Sequence, residues 1–209
     1  MMLTKLFPKE KDFFPIFNQM TRGLSASISE LLDLMDHPEN IEVAVLKIRN
    51  LDLQAEQLAR QSIECLHDTF ITPFDRRHIF QFVTQLGQMS TLARIIIEKL
   101  QAYHLINLPI ELIEITFKCG QACSFLKQMV VHLQNLKRPD ETLQLCLNIY
   151  KIRSTSEELF FKVSKDLYAH ELDIKSLMKF KEISEDFVSM IRKFEGISFL
   201  IEEIVLEYA

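Results

Sequence analysis

Prolines and glycines leave this chain few folds to choose from. The six prolines, Pro8, Pro15, Pro38, Pro73, Pro109 and Pro139, each fall at or just ahead of a long stretch of helical periodicity. A first helical turn tolerates a residue without an N–H; later turns do not. The four glycines, Gly23, Gly87, Gly120 and Gly196, lie inside such stretches rather than between them. A sandwich of many tight turns needs more backbone switches than that, and a phosphate-cradling loop needs its glycines close together. The prolines therefore divide the chain into helices at 10–36, 39–69, 73–104, 109–136, 139–170 and 173–208. At the third start, Thr72, Pro73 and Asp75 read as N-cap, first helical residue and acidic third position, the pattern of a capping box. Each mid-helix glycine costs about 1 kcal/mol against alanine, so it marks close helix contact or a replaced functional residue. The fold class is all-α.

The apolar seams carry the argument further. In the second helix Ala44, Ile48, Leu51, Ala55, Leu58, Ser62 and Cys65 step by alternating four and three, the seam of a helical bundle. The fifth repeats it 101 positions on, with Leu145, Ile149, Ile152, Ser156, Leu159 and Val163. Phe17, Met20, Leu24, Ser27, Leu31 and Leu34 match Thr116, Cys119, Cys123, Leu126, Val130 and Leu133 at a shift of 99. Leu86, Met89, Ala93, Ile96, Leu100 and Tyr103 match Ile191, Phe194, Ser198, Ile201, Val205 and Tyr208 at 105. One heptad matches any other in some register, but three pairs in order, at shifts near half the chain, point to a duplicated unit. The expected architecture is a single domain, 1–209, of two tandem pseudo-repeated three-helix bundles, 1–106 and 107–209.

A chain of 209 residues with 48% hydrophobic and 25% charged side chains can bury a sizeable core. Its formal net charge of −5 argues against nucleic acid, which is held by basic surfaces. The start shows no apolar run with a cleavage site. The greasiest stretches, 93–97 and 197–201, are too short to span a bilayer. A cytosolic protein without membrane insertion is expected, able to dock beneath a membrane protein. Cys65, Cys119, Cys123 and Cys146 sit in helical patterns and read as small buried hydrophobes. Cys119 and Cys123 lack the spacing of a zinc knuckle.

Candidate chemistry is sparse. Asp52 and Glu56 stand one turn apart on one helix face, and two such pairs on facing helices would cage a metal ion. The matching pair in the second half is Arg153 and Glu157, where an arginine repels a cation and pairs with the glutamate. Glu64 and His67 form a Glu-x-x-His step, but no second copy exists to complete a di-iron centre. No nucleophile elbow or phosphate loop appears, so no enzymatic activity is expected. Arg76-Arg77 opens a helix with disfavoured charge, read as a solvated pair that could instead meet an anion or a neighbouring subunit. Among the scattered His37, His78, His104, His132 and His170, His78 is the one to follow.

The segment Leu66-His67-Asp68-Thr69-Phe70-Ile71-Thr72-Pro73-Phe74-Asp75-Arg76 resembles the signature of the PhoU-like phosphate-transport accessory proteins, in the branch associated with Pit-type permeases. Phe13-Phe14-Pro15-Ile16-Phe17, Leu51-Asp52-Leu53-Gln54-Ala55-Glu56, Phe180-Lys181-Glu182-Ile183 and the closing 201–209 stretch are similar too. The resemblance implies two repeated three-helix bundles whose acidic helices bind multinuclear iron or zinc clusters. Here Arg77, His78, Gly87, Gln88, Thr91, Arg153, Arg192, Gly196 and Phe199 stand where acid or amide residues are expected. Asp52, Glu56, Glu157, Glu185 and Glu195 survive as the metal-ligand set the resemblance implies. With so few oxygens and added arginines, iron or zinc should bind weakly or not at all, with His78 available to a rearranged site. The implied role is a non-enzymatic cytosolic accessory or regulatory protein of inorganic phosphate transport. It would act by contact with a Pit-type permease or a signalling partner and self-associate as a homo-oligomer. The alternatives are a metal-binding bundle for iron or zinc storage or sensing, and a structural helical adaptor.

Overall fold

Asp12 accepts the Phe14 amide proton at 2.9 Å, and Pro15 sits in the first turn, so the chain turns into its first helix here. The computed structural model describes residues 12–105, 108–169 and 174–208. Its helices are α1 Phe14–Asp36, α2 Ile41–His67, α3 Arg76–Tyr103, α4 Ile110–Leu133, α5 Pro139–Ala169 and α6 Ile174–Tyr208. A 3-10 turn over Pro38–Asn40 precedes α2. There is no strand among the described residues, and the all-α reading holds. Pro8, His170, Ala209 and the 106/107 boundary between the proposed repeats lie outside the described residues.

α2 packs on α1 and α3, and α5 packs on α4 and α6. The halves meet where α1 lies on α4 and α3 on α6. α2 and α5 are thus the outer helices, and among the described residues neither packs against the opposite half. The seams explain this. Every seam position of α1 and α4 is buried, from Phe17 to Leu34 and from Thr116 to Leu133. On α2, by contrast, Leu51, Leu58 and Cys65 stay half-buried. The buried side chains of both halves form one continuous cluster. At one end of it the rings of Phe13, Phe14, Phe17, Phe74 and Phe82 pack with centroids 4.9–6.3 Å apart. Each buried Phe contributes about 1.5–3 kcal/mol.

The third helix starts later than its sequence suggests. Arg76 is its first residue, and Asp75, not Thr72, is the N-cap, accepting the Arg77 amide proton at 2.7 Å. Thr72 instead donates its hydroxyl to the Phe74 carbonyl within the connection. The ring of Phe74, buried against Phe14 and Phe17, holds Pro73 outside the helix. Arg76 is exposed, as a solvated pair requires, but its charge is also engaged by the backbone. Its guanidinium donates to the carbonyls of Leu66 and of Thr69, the latter at 3.0 Å. It thereby satisfies carbonyls at the C-terminal end of α2, where positive charge is favoured.

All four cysteines are free. Burial pushes the Cys123 and Cys146 thiols up to about 12 and raises Cys119 further still, which makes them inert packing groups. Among the described residues no helix is long and apolar enough to cross a membrane.

Candidate functional site

Asp52 lies on the side of α2 that faces α3, its side chain 14% exposed. Thr91 donates to Asp52 Oδ1 at 3.0 Å and Arg94 Nε to Oδ2 at 2.7 Å. Arg94 reaches on to Glu98 at 2.8 Å, and Glu98 in turn accepts from Arg49 at 2.7 Å. Acid and guanidinium thus alternate across the α2–α3 contact. The hydrogen bond to Asp52 raises the Arg94 pKa above its ordinary value. Both oxygens of the carboxylate that would open a metal cage already accept a hydrogen bond, one from a hydroxyl and one from a guanidinium.

The second half places an arginine on the outer helix and acids around it. Arg153 of α5 lies 3.2 Å from Glu157 and 3.5 Å from Glu195 of α6. Arg192 of α6 meets Glu157 at 3.2 Å. Position 153 lies 101 residues after Asp52, so one outer helix carries an acid there and the other an arginine. Glu157 and Glu195 therefore converge on Arg153.

Glu56 and Glu185 do not join these groups. Glu56 pairs along its own helix with Arg60 at 2.5 Å, and Glu185 with Lys181 at 3.8 Å, both half-exposed. The five residues singled out from the sequence are thus not gathered at one place: Glu157 and Glu195 share Arg153, and Asp52, Glu56 and Glu185 pair elsewhere. Among the described residues, none of them belongs to a trio of ligating groups close enough to share one ion. A third charged cluster, not expected from the sequence, joins α3 to α6. There Lys99 meets Asp186 at 2.6 Å, and the Tyr103 hydroxyl donates to Glu182 at 2.6 Å. The i,i+4 spacing of Glu182 and Asp186 signals a shared face, but their partners come from a helix about eighty residues away.

His78, in the first turn of α3, is buried between its own helix and the end of α6. Glu203 and Glu207 of α6 approach its two ring nitrogens. Nearby, the Tyr208 hydroxyl accepts the Asp75 amide proton at 3.0 Å and ties the end of α6 to the start of α3. The Glu-x-x-His step is absent from this constellation: His67 is exposed beside Asp68 at 3.3 Å.

Gly87 and Gly196 have room for a side chain, with the nearest atoms 3.9 and 3.5 Å from a Cβ placed there. They face no close helix contact, so the close-approach reading fails for them. At Gly120 it holds, because a Cβ would meet Leu32 at 3.0 Å.

No family model matches the chain. It is similar to a protein of Rhizobium meliloti (strain 1021) named "Putative pit accessory protein", 22% identical over 97% of this chain and 96% of that one. Two solved structures from Shewanella oneidensis MR-1 share its fold. One, a PhoU-like protein, superposes with a TM-score of 0.80 at 16% identity. The other, described as a "putative PhoU-like phosphate regulatory protein", gives 0.79 at 17%. Each covers 94% of this chain and 100% of its own. The chain therefore has the fold of the PhoU-like proteins, and its end-to-end similarity to a pit accessory protein supports the family resemblance seen at 66–76.

Proposed function

We propose that this protein is a non-enzymatic accessory or regulatory subunit of inorganic phosphate uptake, acting in the cytosol by contact with a Pit-type permease. The observation that carries the reading is the similarity to a pit accessory protein along nearly the whole of both chains. Three of the five acids expected to make a multinuclear centre, Asp52, Glu195 and Glu157, are paired with Arg94, Arg153 and Arg192, which favours docking over metal chemistry. Contact surface is available. The outer helices expose Val43, Leu46 and Leu53 on α2 and Leu147, Tyr150 and Phe161 on α5, and Phe70 stands out from the α2–α3 connection. Exposed large apolar groups in such numbers suit association with a membrane protein's cytosolic face or with a second copy of the chain.

Deleting the gene and measuring uptake of radiolabelled phosphate at millimolar supply tests the role. Uptake should change at least two-fold and recover on complementation, and the tagged protein should co-purify with the organism's own Pit-type permease. Unchanged uptake together with no co-purification would leave the structural adaptor as the better reading.

A further inference from the structure

The bundle end where α3 begins and α6 finishes holds a group of side chains that the phosphate reading does not use. His78 Nε2 lies 3.4 Å from Glu203 Oε1, and His78 Nδ1 lies 3.8 Å from Glu207 Oε2. One ligand atom from each of the three falls within 4.8 Å of the other two. The His78 side chain is only 4% exposed, yet its Nδ1 is buried without a hydrogen-bond partner. An orphaned buried nitrogen bears a desolvation cost that nothing offsets, so a retained one calls for a partner. From these observations we propose that His78, Glu203 and Glu207 bind one divalent transition-metal ion of the zinc class.

The donor set decides the class. One imidazole and two carboxylates suit zinc or another borderline first-row ion, whereas calcium and magnesium favour oxygen alone. The spacing suits it as well. In a tetrahedral zinc site with bonds of 2.0–2.1 Å, neighbouring ligand atoms lie about 3.3 Å apart. Glu207 lies 3.8 Å from Nδ1 and needs only a small closure, and Glu203, now 3.4 Å from Nε2, reaches the same ion by turning its side chain to the Nδ1 side of the ring. That closure is available because Glu203 and Glu207 are 59% and 47% exposed on α6, while the imidazole is fixed by burial. Nδ1 is the nitrogen left for the ion. Water would fill the remaining position. Arg77 stands near both glutamates, but its own hydrogen bonds go to Asp75. The site is separate from the acids around Asp52 and from those around Arg153, which lie further along α3 and α6 toward the middle of the bundle.

The test is calorimetric titration of chelator-stripped protein with zinc chloride alone. One equivalent should bind saturably. In the double variant Glu203→Gln, Glu207→Gln the affinity should fall about 10-fold or more, while Cys65→Ser, which removes the most accessible thiol, should bind like the parent. The two glutamates are exposed, so the double variant should keep its helical circular dichroism. A second reading uses the unaltered protein: the His78 imidazole resonances should move with the first equivalent of zinc, ahead of those of His37 and His67. Absence of saturable binding, equal affinity in the double variant, or another histidine responding first would each overturn the site and leave His78 as a simple charge pair.

Discussion

A guanidinium can occupy the space between two carboxylates that a metal ion would otherwise fill, and Arg94 and Arg153 do so in the two halves. The swap between Asp52 and Arg153 is readable from the sequence alone, since a shift of 101 aligns them. Arg94 is not readable in that way. Its i,i+4 spacing to Glu98 suggests a pair along one helix, and only the register of α3 against α2 brings it to Asp52 at 2.7 Å. Removing one member of a partly buried, hydrogen-bonded pair strands the other, so Asp52→Ala should lower stability by about 1–3 kcal/mol in urea denaturation. Because the cost is shared, Arg94→Ala in the Asp52→Ala background should cost much less than in the parent; strictly additive effects would refute the pairing. Charge sets the acid limit at this scale too. Hydrogen bonds from the Arg77 backbone and side chain hold the Asp75 carboxyl below its ordinary value, and the Lys162 ammonium does the same for Glu111. A lowered folded-state pKa gives stability that is present above the ordinary carboxylate value, about 4, and is lost as pH falls through the folded value. Asp75→Asn should therefore lower the unfolding midpoint at pH 7 and flatten its decline below pH 4. An unchanged acid limb would show that other carboxylates control it.

At the scale of the helix, prolines and seams predict where four of the six helices begin to within two residues. α1 starts at Phe14 rather than at 10, and α3 at Arg76 rather than at 73, the second for a tertiary reason. Thr72, Pro73 and Asp75 satisfy a local capping rule, but burial of the Phe74 ring among Phe14 and Phe17 pulls the chain out of helical geometry until Asp75. Local propensity yields here to packing of an aromatic side chain, a larger contribution than a cap. The glycines divide by the same criterion. Gly87 costs helix stability without a contact that requires it, so Gly87→Ala should raise stability by about 0.5–1 kcal/mol. Gly120→Ala should gain less or lose, because its Cβ would press on Leu32 at 3.0 Å. Thermal denaturation of the two variants side by side tests the distinction, and equal gains would show that Leu32 gives way freely. The sequence could not separate these two glycines, because both lie within helical patterns and only the neighbouring helix differs.

Across the whole molecule, duplication and cooperativity pull in different directions. A repeat of three helices invites two independent folding units, and the outer helices α2 and α5 do keep to their own halves. The inner helices do not. α1 against α4 and α3 against α6 merge both seams into one cluster that runs from Phe17 to Val205. Isolated, either half would expose seam surface that the other covers, such as Cys123 of α4, which is buried here and bonds to Ser25 of α1. The Lys99–Asp186 and Tyr103–Glu182 contacts cross the same boundary. The halves should therefore melt together. For this chain length, unfolding as a unit implies a van't Hoff enthalpy of roughly 140 kcal/mol near 60 °C, against roughly 70 if each half unfolded alone. Differential scanning calorimetry distinguishes the two, since a single transition of the larger enthalpy requires the α1–α4 and α3–α6 contacts to be as cohesive as those within each half. Two resolved transitions would make the repeats autonomous domains, and the central contact a hinge between them rather than the middle of a core.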